Sequence, residues 1–135
     1  MRILLVTMMC LTLSACALFG PPREFPEGDL WRQQVADAIA STPGVERSDV
    51  VIHDVDNGMT KGPVMTGTII IAAGQDAQKV VDAAMGAAAD VMGEKSSGVA
   101  ISPGITESGQ PPGKLRHYDG YEGVNNGEKL WKATR

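Results

Sequence analysis

The sequence predicts an α+β domain: a two-layer sandwich with two helices packed on one face of a three- to four-stranded sheet. An alanine-rich stretch over residues 77–91 repeats its apolar positions at helical spacing. A run over residues 64–72 alternates apolar and polar side chains, and a β-branched segment over residues 49–55 leads straight into an Asn-Gly turn. Together these give the order helix, strand, strand, helix, strand, with room for a fourth strand.

The first helix is expected from Leu30 to Ser41. Trp31, Val35, Ala38 and Ile39 share one side of it, Asp29 stands where a side-chain cap would, and Thr42-Pro43-Gly44 stops it. A strand over Asp49–Val55 then ends at Asp56-Asn57-Gly58, a turn built from residues that tolerate positive φ. In the second strand, Val64–Ala72, Met65, Ile69 and Ile71 face one way while Thr66 and Thr68 face the other, so the sheet is covered on a single face. The second helix carries Ala77, Val80, Val81, Ala84, Met85, Ala88 and Val91 on its buried stripe, opposite Gln78, Lys79, Asp82 and Asp90, with Gly93 at its end. A third strand follows at Gly98–Ser102, ended by Pro103-Gly104. Thr106–Lys114 reads as loop, Leu115–Tyr118 as a short edge strand, and Asn126–Ala133 as a last helical turn.

The first 16 residues carry a different message. Arg2 is followed by the apolar run Ile3–Leu13 and then by Leu13-Ser14-Ala15-Cys16, the parts of an export signal. That tetrapeptide resembles the lipobox of bacterial lipoproteins. The resemblance implies that residues 1–15 are a cleaved signal peptide and that Cys16 is the lipid attachment site and the new N-terminus. The mature chain would sit on the extracytoplasmic face of the cell membrane, held by acyl chains that each contribute ~0.8 kcal/mol per buried methylene. Residues 16–28 would form a Pro-rich tether, able to hold the domain ~35 Å from the bilayer at ~3.1 Å per residue. Residues 29–135 form one domain of common size, with 105–135 a loop-rich tail.

Cysteine usage narrows the chemistry. The chain has two cysteines, one inside the expected signal and the other at the lipid site. The mature domain therefore has no disulfide, thiol nucleophile or thiolate metal site. Loss of Arg2 leaves eleven basic residues against 16 acidic ones, a charge of -5. A mildly acidic domain is repelled by nucleic acid and by anionic lipid head groups, so no nucleic-acid partner is expected.

The domain pattern is similar to envelope modules of the BON type and the wider ferredoxin-like group. It is closer to a set of small lipoproteins of high-GC Gram-positive bacteria with a helix, a Pro-Gly-Val step (Pro43-Gly44-Val45), a hairpin, a second helix and a Ser-Gly-Val strand (Ser97-Gly98-Val99). The similarity spans about Asp29–Ser102 and implies attachment to the cell envelope. No functional residue is carried over with it.

Motifs for catalysis are missing from the sequence. His53 and His117 are the two histidines, too few for a zinc site without distant carboxylates. Asp54, Asp56 and Gly58 fail the spacing of a calcium loop, and no nucleophile elbow, P-loop or dinucleotide fingerprint occurs. No metal, cofactor or catalytic residue is expected. His117, Tyr118, Tyr121 and Trp131 form the one candidate binding patch, because aromatic side chains recur where proteins grip partners. The expected role is a non-enzymatic, membrane-anchored lipoprotein whose domain meets an envelope protein or a wall or lipid component. The alternative is an accessory or docking subunit of an exported enzyme or transporter.

Overall fold

The computed structural model describes residues 25–26 and 28–135. The expected signal peptide, Cys16 and most of the tether lie outside the described residues. The fold is α+β. Helix α1 (Leu30–Ala40) is followed by strands β1 (Val45–Ser48), β2 (Val51–Asp56), β3 (Lys61–Thr66) and β4 (Thr68–Ile71). Helix α2 (Ala77–Met92), strands β5 (Ala100–Ile101), β6 (Gly104–Glu107) and β7 (Gly113–Lys114), a 3-10 turn (Leu115–His117) and helix α3 (Gly127–Ala133) complete the chain.

The strands form two ladders, ordered β1-β4-β6-β7 and β2-β3-β5. Their registers run on from one to the other. Ser48 faces Ile69 on one side of the break and Val51 faces Thr66 on the other, three residues onward along both strands. Met65 lies beside Ile101 and Thr68 beside Gly104, again three residues on each. Backbone bonds cross the gap: Asp49 N–H donates to Thr68 O (3.1 Å), Ser102 N–H to Met65 O (3.0 Å) and Gly104 N–H to Gly67 O (2.8 Å). The molecule thus has three long strands, residues 45–56, 61–71 and 100–107, bent together along one line.

Gly67 makes the bend. Its φ is +103°, and a Cβ there would come within 2.6 Å of Asp49 O and 2.8 Å of Val50 Cα. Only glycine combines that backbone angle with so close an approach. The expected strand Val64–Ala72 is therefore two strands, because the alternation of its side chains passes through Gly67 unchanged and hides the kink. Met65, Ile69 and Ile71 are buried on one side of it, and Val99, Ile101, Pro103 and Ile105 are buried through the matching bend of the third long strand.

The helices cover that buried face. Helix α1 packs on α2 and against β1 and β2, while α3 packs on α2 and β5. The expected alanine stripe holds, with Val80, Val81, Ala84, Met85 and Ala88 at 5% exposure or less, which lets α2 lie close to its neighbours. Asp76 caps it by accepting from Lys79 N–H, and Gly93 ends it at φ 78°. Asp29 does not cap α1 through its side chain. Its carbonyl oxygen accepts from Arg32 N–H instead, and its carboxylate lies 3.5 Å from the Arg32 Nε.

The C-terminal third is more ordered in its structure than its composition suggested. Leu115–Tyr118 is not an edge strand: Leu115 turns into the core at 5% exposure and the backbone winds into the 3-10 turn, leaving Gly113–Lys114 as the edge. Asn126 caps α3, its Oδ1 accepting from Lys129 N–H at 2.9 Å.

Candidate functional site

The four residues of the expected patch do not form one surface. Tyr121 is 2% exposed and belongs to the core. Its hydroxyl donates to Asp82 Oδ1 on α2 at 2.9 Å, so it is not a surface contact. Burial, and then the hydrogen bond to Asp82, push its phenol pKa well above 10.0. Gln78, one turn earlier on α2, holds the same loop by bonding both the Asp119 N–H and the Asp119 carbonyl at 3.0 Å.

Tyr118 is half-buried near Glu107 of β6. Burial first, and the Glu107 carboxylate second, raise its pKa. His117 is exposed at the end of the 3-10 turn. Trp131 lies half-buried on α3 with the Arg135 guanidinium 3.5 Å above its ring, and Arg135 is itself bonded to Asp90 at 2.6 Å. Asp82 and Asp90 stand eight residues apart on α2, about 12 Å along its axis, so Tyr121 and Trp131 do not share a surface.

Next to this segment lies a groove of about 400 Å³, which the aromatic pattern did not reveal. It opens at the bend of the third long strand. There Ser102 and Pro103 sit between two stretches of added backbone, Asn125–Asn126 beside β5 and Gly113–Lys114 beside β6. Pro103, Leu115 and Val124 line it with apolar surface, and Lys114 and Arg116 flank the mouth. Leu115 fixes both cations: its side chain is buried, so the residues before and after it turn outward.

Among the described residues neither Lys114 nor Arg116 takes part in an ion pair, and no carboxylate or imidazole lines the groove. Two cations, the Ser102 hydroxyl and the Asn125 amide over an apolar floor can hold an anionic group with some hydrocarbon attached. The sequence signal for the groove was a pair of cations bracketing one leucine just after Pro111-Pro112-Gly113.

Among the described residues there is no group of three or more His, Cys, Asp or Glu side chains that could hold a metal ion. His53 is exposed in β2, its Nδ1 3.5 Å from the Thr66 hydroxyl. Asp54 is bonded to Arg32 at 3.0 Å, and Asp56 accepts from Gly58 N–H in the hairpin turn. No described helix is long and apolar enough to cross a membrane. Comparison with protein families, curated proteins and solved structures returned no match.

Proposed function

We propose that this chain is a lipid-anchored protein of the bacterial cell envelope whose α+β domain binds a partner and performs no chemistry on it. The observation that carries the reading is Leu13-Ser14-Ala15-Cys16 at the end of an apolar leader. It accounts for the placement of both cysteines and for a water-compatible domain behind a Pro-rich spacer. Intact-mass analysis of the membrane fraction tests it. An N-terminal acylated Cys16 is the expected product, and a chain starting at an unmodified Met1 would overturn the anchor.

The groove supports the binding half of the proposal. In a chain with a net charge of -4, two unpaired cations beside an apolar trough single out one acidic contact. The partner is an anionic component of the envelope. Retention of the full-length protein on purified anionic wall polymer should fall when Lys114 and Arg116 are both changed to Glu. Unchanged retention by that variant removes the groove from the proposal. Recovery of one stoichiometric protein partner by both forms, with no polymer retention, would favour the accessory-subunit role.

A further inference from the structure

We infer that the hairpin end of the domain, carrying Met59 and Leu30, rests against the lipid surface, with the groove turned away from it. This rests on the lipid anchor at Cys16 proposed above. Phe25 is where the described chain joins the domain: its ring meets Trp31 edge-on at 4.9 Å between centroids. Phe25 lies nine positions along from Cys16, a reach of about 28 Å for an extended Pro-rich chain. The lipid therefore holds the domain on a short leash attached at one particular corner.

That corner is the hairpin end. Phe25 lines a small hollow with Pro63, Lys95 and Val99, so it sits against the first turns of the second long strand. The Arg32–Asp54 bond fixes the start of α1 beside the same end of β2. The three large exposed apolar side chains among the described residues are Leu30, Val51 and Met59, and two of them are here. Leu30, the first residue of α1, is 70% exposed, and Met59, at the hairpin tip, is 97% exposed. The turn around Met59 is held by Asn57, whose Oδ1 accepts from the N–H groups of Met59 and Thr60 at 3.2 and 2.8 Å. An apolar side chain is thus presented to the outside on a braced loop, where a polar one would serve the turn as well. A tether that keeps this end near headgroups raises its local concentration there, which lets two modest apolar contacts suffice. Lys114 pairs beside Gly104 and hence beside Thr68, seven residues along from Lys61. The groove mouth therefore stands about 20 Å further out.

Methionine oxidation reads this orientation directly. Met65, Met85 and Met92 are fully buried, so Met59 is the one peroxide-accessible methionine among the described residues. The mature chain, beginning at Cys16, is coupled through that thiol to a maleimide lipid in phosphatidylcholine–phosphatidylglycerol vesicles. Oxidation of each methionine by peroxide is then followed by peptide mass spectrometry. Met59 should oxidise at least about threefold more slowly when coupled than when mixed with the same vesicles uncoupled. A second methionine introduced by Ser108→Met, at the opposite end of the sheet, should oxidise at one rate in both. Equal rates for Met59, or equal slowing at both positions, overturns the orientation. Chemical coupling makes the anchor whatever the cell does to Cys16. Failure here beside an acylated native Cys16 therefore counts against the orientation alone, and an unmodified Met1 in the native protein counts against the anchor.

Discussion

The two halves of the bent sheet share strands, register and alternation, yet they are built to different ends. In the half formed by β1, β4, β6 and β7, Ile69, Ile71 and Ile105 are each 1% exposed, and Leu115 closes over the edge. In the half formed by β2, β3 and β5, Met65 and Ile101 are buried too, at 0% and 5% exposure, but strand β2 buries only Ile52 and leaves Val51, His53, Asp54 and Asp56 exposed. The difference is in what covers the strands, since the backbone ladder is continuous. Both halves feed one core, and strand β2 in addition leaves a row of side chains available to the outside.

The largest expected effect comes from the line between them. Gly67→Ala would force a Cβ onto Asp49 O and Val50 Cα at a φ of +103°. It should cost about 3–4 kcal/mol, the size expected where a strained backbone angle and a backbone clash coincide. Urea unfolding checks this. A loss under about 1 kcal/mol would mean that the bend is soft and the halves are not locked to each other.

Core truncation probes the halves separately. Ile69→Ala removes a 1%-exposed side chain and should cost about 3 kcal/mol, whereas Val51→Ala, at 52% exposure, should stay within about 0.5 kcal/mol. Similar losses at both positions would erase the contrast.

The helices and the inward side of the long strands were legible in the sequence because their information is local. The stripe on α2 and the alternation of Met65, Ile69 and Ile71 each repeat within a few residues. The bend was not legible, because Gly67 needs its φ only on account of Asp49 and Val50 on the neighbouring strand. Strand β1 was missed since Val45–Ser48 is short and mostly polar, and its pairing with β4 is slipped by a bulge between Val45 and Arg47. The binding patch failed for the same reason as the bend. Tyr118 and Tyr121 look alike around one glycine, and only Asp82, 39 residues away, draws Tyr121 into the core. The groove cations were visible as residues, but their outward setting depends on where Leu115 is buried.

An effect smaller than the core truncation tests how the covered half acquired its extra layer. Tyr121 fastens the segment after the 3-10 turn to α2 through Asp82, so Tyr121→Phe should keep the packing and lose the bond, costing about 1 kcal/mol at neutral pH. The ionisation of Tyr121 adds a second signature. In the unfolded chain its phenol titrates near 10.0, while burial and the Asp82 carboxylate raise that value in the folded domain. Above pH ~10 the unfolded chain therefore releases a proton that the folded chain keeps, and stability falls as pH rises. Below that pH both states hold the proton and this slope vanishes. The same sign applies to Tyr118, whose pKa is also raised, so Tyr121→Phe should flatten the alkaline loss without abolishing it. Unfolding midpoints compared at about pH 8 and about pH 11 give the result. An alkaline loss as steep in the variant as in the wild type would show that the Tyr121 hydroxyl is not held against Asp82 in solution. In that case the added layer rests on Leu115, Leu130 and the Gln78–Asp119 bonds.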